Sequence, residues 1–167
     1  LWILDDLTPL HQISDKVANA DYYLYKPGDR YAPMTGAFSL NGDQGRNPAR
    51  GAQITYIINK DVGDEVPMSM EVMDASGNVI YSEATNAKKT ECDAFLRKQL
   101  KRTAGAHVWN WNMRVGMFDC IKELTLTNRD LSAYDAVPGK YTARLKIGNF
   151  TQSQDFEIKI DPRLESS

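Results

Sequence analysis

The sequence predicts an all-β protein, an antiparallel β-sandwich of about seven strands with one short helix and an irregular N-terminal arm. Three observations support this fold class. Apolar and polar residues alternate in several short stretches, which is typical of half-buried strands. Turn-forming Gly, Pro, Asp and Asn separate those stretches. A single segment has helical spacing, so two packed sheets account for most of the core.

The first 50 residues differ from the rest of the chain. They contain one candidate strand, Tyr22–Tyr25, and are otherwise dominated by Pro, Gly and polar residues. We therefore expect residues 21–50 to form an arm with one strand. The sandwich is expected over residues 51–163, followed by a short tail at 164–167.

The central part of the chain predicts a strand and then a hairpin. Residues 52–60 are rich in β-branched and aromatic side chains. After them, Met68, Met70 and Val72 alternate with more polar residues. The stretch 74–77 (Asp-Ala-Ser-Gly) then supplies turn chemistry, and a returning strand begins at Val79.

One helix is expected at residues 90–102. Thr90 followed by Asp93 has the spacing of a capping box, and the acidic start and basic end suit the helix dipole. Gly105 is placed to end this helix. An apolar stripe is formed by Cys92, Phe95, Leu96 and Leu100.

The C-terminal third predicts three more strands. Trp109, Trp111 and Met113 alternate within residues 107–114, and a long loop is expected from about Val115 to Val137. A second hairpin follows, with its turn at 148–149. Its inward-facing residues are expected to be Tyr141, Ala143, Leu145, Ile147, Phe156, Ile158 and Ile160.

Composition and charge limit the classes of function. Apolar residues make up 42% of the chain, and the net charge is −2. A nucleic-acid partner is not expected, because such binders usually present a basic face. No apolar run approaches the roughly 20 residues needed to span a bilayer. Two cysteines, Cys92 and Cys120, are too few for a disulfide scaffold or a structural zinc site.

Several segments, taken in chain order, resemble one family. Residues 1–10 (LWILDDLTPL) resemble the closing strand of bacterial β-propellers of the sortilin-like or sialidase-like kind, often labelled putative glycosyl hydrolases. Residues 22–29, 45–56 and 107–114 are similar to segments of the C-terminal domain in such proteins. The stretch from Ala136 to Arg163 matches its Pro-Gly-x-Tyr hairpin. The chain is also similar to the immunoglobulin-like domain of flagellar hook-cap proteins.

This resemblance implies an immunoglobulin-like or fibronectin III-like sandwich attached to a propeller. Residues 1–20 would then be the remnant of the preceding propeller and its linker. The resemblance also implies a periplasmic or extracellular location in a bacterium. In that setting a Cys92–Cys120 disulfide is possible but not required.

No catalytic or metal-binding constellation is predicted. His107 lies in sequence between the two cysteines, but no nucleophile motif surrounds either one. Asp5 and Asp6 are adjacent, so in an extended segment they point to opposite sides and cannot flank one glycosidic bond. The loop 41–45 (Asn-Gly-Asp-Gln-Gly) lacks the six to eight oxygens that calcium prefers. We expect no cofactor.

Aromatic residues leave an alternative open. Trp109 and Trp111 share one strand face, and Tyr22, Tyr23 and Tyr25 are further candidates for contact with a sugar. A buried face would make the indoles core residues, whereas an exposed face would form a platform for stacking a sugar. Asn110 and Asn112 on the opposite face suit solvent, so core is favoured.

The expected function is that of a non-catalytic accessory domain, which packs on an adjoining propeller or presents a surface to a protein or glycan. The alternative is a carbohydrate-binding module of the same fold class. An independent hydrolase is a weaker third hypothesis.

Overall fold

The computed structural model describes residues 6–32, 51–86, 100–116 and 134–162. Over these residues the chain forms ten strands, a short 3-10 turn at Leu10–Gln12 and a five-residue helix, α1 (Asp15–Asn19). The strands are β1 (Tyr22–Leu24), β2 (Arg30–Tyr31), β3 (Ala52–Ile58), β4 (Met68–Met73), β5 (Val79–Ala84), β6 (Gly105–Trp111), β7 (Arg114–Val115), β8 (Tyr134–Asp135), β9 (Gly139–Ile147) and β10 (Phe150–Lys159).

The strands form two main sheets and one small one. A three-stranded sheet has the order β1-β3-β6, and a five-stranded sheet has the order β2-β10-β9-β4-β5. β7 and β8 pair as a separate ribbon. The predicted all-β, sandwich-like fold is therefore confirmed. Among the described strands all pairings are antiparallel, as expected, except that of the two-residue β2 with β10, which is parallel.

A single core lies between the two main sheets. In β3 every second residue is buried, and β9 repeats the pattern, because side chains alternate between the two faces of a strand. Trp109 and Trp111 are 1% and 0% exposed, so the expectation that they belong to the core is confirmed. Trp111 packs against the rings of Tyr141 and Phe156, with centroids 5.6 and 6.2 Å away.

The two predicted hairpins form as expected. β4 and β5 are joined by a turn in which Asp74 Oδ1 accepts the amides of Ser76 and Asn78, both at 2.9 Å. Gly77 has φ +83°, which explains why glycine suits this position. β9 and β10 pair over nine residue positions and turn at residues 148–149.

Several local expectations need correction. Ile160 is 48% exposed and lies beyond the end of β10, so it does not continue the buried row. Gly105 begins β6 instead of ending a helix. The strand expected at residues 107–114 is interrupted, because Met113 adopts φ +58° between β6 and β7. The long loop expected from about Val115 to Val137 has its two ends paired with each other as β7 and β8.

Some expectations fall outside the described residues. These include most of the predicted helix at 90–102, of which only residues 100–102 are described, without helical structure. Cys92, Cys120 and the loop 41–45 also lie outside the described residues.

A polar network closes the side of the sandwich where β5 and β6 meet. The carboxylate of Glu83 accepts the indole N–H of Trp109 at 2.7 Å and the amide of Leu100 at 3.1 Å. The hydroxyl of Tyr56 accepts the Lys101 amide at 2.8 Å and donates to the Lys101 carbonyl at 3.1 Å. Burial, aided by the charge of Glu83, raises the pKa of Tyr56 to about 12.

Candidate functional site: the N-terminal arm

We use the word arm from here on for the described residues before β3, 6–32, so it also includes part of the stretch 1–20. The first part of this arm runs beside the segment that follows β1. The carboxylate of Asp6 forms an ion pair with Arg30 at 2.5 Å and accepts the amide of Thr8 at 2.9 Å. Burial by itself would raise the pKa of Asp6. The hydrogen bonds from Thr8 and the charge of Arg30 have the larger combined effect, so the pKa of Asp6 lies below its usual value. Asp6 thus serves the local backbone and an ion pair within the arm, whereas Asp5 lies outside the described residues.

Two glutamine side chains cover the outer edge of β1 and its extension. Gln152 accepts the amide of Leu24 at 2.8 Å and donates to its carbonyl at 3.1 Å. Gln12 makes the same pair of bonds with the backbone of Lys26, at 2.8 and 2.9 Å. A primary amide offers one donor and one acceptor in the geometry of a peptide group, so each glutamine takes the place of a missing strand.

Asp29 fastens the arm to the five-stranded sheet. Its carboxylate accepts the amide of Glu157 at 3.2 Å and forms an ion pair with Lys159 at 2.8 Å. The hydrogen bond from Lys159 lowers the pKa of Asp29. These contacts support the parallel pairing of β2 with β10, which sequence periodicity did not indicate.

α1 lies against the end of β3. The side-chain amide of Asn59 donates to the carbonyls of Val17 and Ala20, at 3.2 and 2.6 Å, and its backbone amide donates to Asp21. Val17 is 3% exposed. β1, β2 and α1 therefore belong to the folded structure, and the described part of the arm already contains two strands where one was expected.

The arm exposes three large aliphatic side chains at intervals of three residues. Leu7, Leu10 and Ile13 are 49%, 52% and 63% exposed, and we refer to them as the apolar row. The carbonyl of Leu7 accepts the amides of Leu10 and His11, which tightens this stretch into the 3-10 turn. The turn itself covers Leu10–Gln12, and Ile13 follows it in an extended conformation.

A polar cleft of about 540 Å³ separates the arm from the end of the sandwich. Lys26 and Asp29 contribute from the arm, and the opposite wall includes Asp74, Lys140 and Asp155. Its carboxylates serve local structure: Asp155 accepts the hydroxyl of Thr142 at 2.8 Å, and hydrogen bonds from Asn78 lower the pKa of Asp74. Among the described residues, no group of three or more metal-binding side chains is present.

The structure does not assemble four of the aromatic residues proposed for sugar stacking. Trp109 and Trp111 face the core, where their N–H groups donate to Glu83 and to the carbonyl of Arg114. Neither indole has a free ring face. Tyr23 and Tyr25 pack edge to face, with centroids 5.3 Å apart, and only Tyr23 keeps appreciable exposure.

The candidate surface that sequence reasoning missed is the apolar row. Leu7, Leu10 and Ile13 have the spacing of a buried helical stripe, and no sequence signal shows that the arm would leave them exposed. No protein-family model, curated protein or solved structure matches this chain. Among the described residues, no helix is long and apolar enough to cross a membrane.

Proposed function

We propose that this chain is a non-catalytic accessory domain of an exported bacterial β-propeller protein, and that its arm packs the sandwich against the adjoining propeller. The apolar row is the observation that carries this proposal. Three aliphatic side chains within seven consecutive residues are each about half exposed or more. Exposed large apolar side chains that are grouped in this way are typical of protein interfaces.

The attachment of the arm favours a packing role. The arm is fixed to the sandwich by the Asp29–Lys159 ion pair and by the amide of Gln152 on Leu24. Asp6–Arg30 and Gln12–Lys26 hold the parts of the arm to one another. A surface that is already ordered loses little conformational entropy when a partner binds. Burying the apolar row would also gain about 25 cal/mol per Å² of apolar area removed from water.

The proposal is tested by expressing the adjoining propeller and this chain as separate polypeptides and measuring their association by calorimetry. The triple variant Leu7→Ser, Leu10→Ser, Ile13→Ser should weaken binding by about tenfold or more, because the apolar contribution is lost. The matched control changes exposed apolar residues elsewhere, Val79→Ser and Val137→Ser, and should leave binding unchanged.

Three outcomes would overturn the proposal. The gene upstream of the Leu1 codon could encode no propeller, the two polypeptides could fail to associate, or the arm variant could bind as well as the control. Circular dichroism and a thermal melt of the triple variant establish that the sandwich remains folded. Exposed leucine and isoleucine contribute little to stability, so the fold should survive.

The carbohydrate-binding alternative now depends on Tyr23 and the polar cleft, since both indoles are buried. Affinity electrophoresis in glycan-containing gels separates the two functions. Retardation that disappears in Tyr23→Ala, or in Lys140→Ala on the cleft wall, would favour the binding module over the packing role.

A further inference from the structure

At Ala106 and Val108, the outer edge of β6 presents backbone groups that none of the described strands uses. The amide of Tyr25 donates to the carbonyl of Thr55 at 3.0 Å, so the backbone of Thr55 points toward the β1 side of the sheet. Peptide groups alternate in direction along an antiparallel strand, which turns Tyr56 toward β6. Tyr56 lies opposite His107. Ala106 and Val108, on either side of His107, therefore direct their N–H and C=O groups toward the free edge.

Within residues 6–32, 51–86, 100–116 and 134–162, no hydrogen bond to these edge groups of Ala106 or Val108 is present. Other edges are treated differently. Gln152 and Gln12 cover the β1 edge, β2 covers β10, and the amide of Gly116 donates to Ile80 of β5. An uncovered edge is a template for pairing with another strand.

The side chains around this edge are uncharged. Ala106 and Val108 are exposed, the latter by 56%, and they share the outer face of the sheet with Thr55 and Ile57 of β3. By contrast, the outer face of the five-stranded sheet carries Glu71, which is paired with two cations. At Ala106 and Val108, the β6 edge thus combines peptide groups that have no partner among the described residues with the exposed side chain of Val108.

We propose that the β6 edge binds an extended polypeptide segment of a partner protein, which pairs with Ala106 and Val108 as an added strand. Two outward residues lie roughly 7 Å apart, and their alternating partial charges are complementary to another extended backbone. The uncharged surroundings favour a β-branched or other uncharged residue beside Val108. A charged residue there would lose solvation without gaining a partner.

A short segment fits this edge better than a second copy of the chain. A stable dimer usually buries about 1,200–2,000 Å² in total. The outward residues Ala106 and Val108 cannot supply that area by themselves. The β6 and β1 strands form opposite edges of the three-stranded sheet. The proposed strand site is therefore separate from the arm and goes beyond the packing role proposed above.

The experiment uses the full chain and a probe peptide, acetyl-Lys-Thr-Val-Thr-Val-Thr-Lys-amide. Amide hydrogen exchange is followed by NMR with and without a saturating amount of peptide. We expect exchange at Ala106 and Val108 to slow by about tenfold or more, because added-strand hydrogen bonds protect outward amides. The same peptide with alternate amides N-methylated should give no protection, since it cannot pair.

Two variants supply the matched comparison. Val108→Lys should weaken peptide binding by about tenfold, as lysine on an edge strand opposes strand addition. Ser82→Lys places the same charge on β5 and should bind like the wild type. The N-methylated peptide keeps the proposal testable if Val108→Lys fails to fold.

Two results would overturn the proposal. One is unchanged exchange at Ala106 and Val108 at peptide concentrations up to the solubility limit. The other is protection of these amides without peptide that rises with protein concentration, together with a dimer in sedimentation velocity. That result would assign the edge to a second copy of the chain.

Discussion

At the scale of single residues, the tryptophans of β6 show how a large apolar side chain and one polar atom are buried together. Trp109 donates its N–H to the Glu83 carboxylate, and Trp111 donates to the carbonyl of Arg114. An unsatisfied buried N–H would cost about 1–3 kcal/mol, so these bonds allow complete burial of both rings.

Replacing Trp111 with alanine should lower the free energy of unfolding by about 3–5 kcal/mol, the usual cost of truncating a buried aromatic residue. The ring is 0% exposed and contacts Tyr141 and Phe156. Urea denaturation followed by circular dichroism measures the change. Val79→Ala, at an exposed position, should shift stability by less than about 0.5 kcal/mol. A similar small shift in Trp111→Ala would contradict the core assignment.

At the scale of elements, β1 depends on side chains for the hydrogen bonds of Leu24 on its outer side. It pairs with β3 on one side, and on the other side its Leu24 peptide group is bonded by Gln152. Gln154 also donates to the Leu24 carbonyl, at 3.1 Å. Since Leu24 is fully buried, water cannot replace these bonds without opening the sandwich edge.

Changing Gln152 to leucine keeps the side-chain volume but removes both bonds to Leu24. The buried amide of Leu24 then has no acceptor, and we expect a loss of about 1–3 kcal/mol. The exchange rate of that amide should rise as well. The neighbouring Ser153→Ala variant, exposed on the other face, is the control. An unchanged exchange rate at Leu24 would show that the glutamine does not hold β1.

At the scale of the whole molecule, three carboxylates connect elements that are distant in sequence. Asp6 binds Arg30, Asp29 binds Lys159, and Glu71 of β4 binds Arg144 and Lys146 of β9. Burial by itself would raise the pKa of Glu71. The hydrogen bonds from Lys146 and Arg144 have the larger combined effect, so the pKa of Glu71 lies below its usual value. The pKa values of Asp6 and Asp29 are lowered too.

These shifts predict a loss of stability in acid. A carboxylate whose pKa is lower in the folded state contributes fully above its unfolded pKa, which is 3.8 for Asp and 4.5 for Glu. The contribution disappears as pH falls through the lowered folded values. In urea denaturation, the variant Asp6→Asn, Asp29→Asn, Glu71→Gln should be less stable than wild type at pH 7. The difference should shrink as the pH falls below 4.5, and a constant difference would contradict the assignment.

The core and the hairpins could be predicted because alternation is a local property. Ile54, Tyr56 and Ile58 are buried at every second position, as the pattern of β3 required. The turn at residues 74–77 was also recognisable from the sequence. The Asp74 carboxylate accepts a backbone amide of the turn, and Gly77 adopts a positive φ that favours glycine. Ile160 was misassigned because the chain leaves the sheet one residue earlier, and periodicity does not mark where a strand ends.

The sequence by itself determined the all-β class, the two hairpins and the inward placement of both tryptophans, because each depends on side chains that alternate along one strand. Only the tertiary structure decided that the arm supplies β1 and β2, that glutamine side chains cover the β1 edge, and that Leu7, Leu10 and Ile13 remain exposed. Those features depend on contacts between residues up to 130 positions apart, as in Gln154 with Leu24. No local pattern encodes such pairings, so the surfaces proposed to bind partners emerged only from the folded chain.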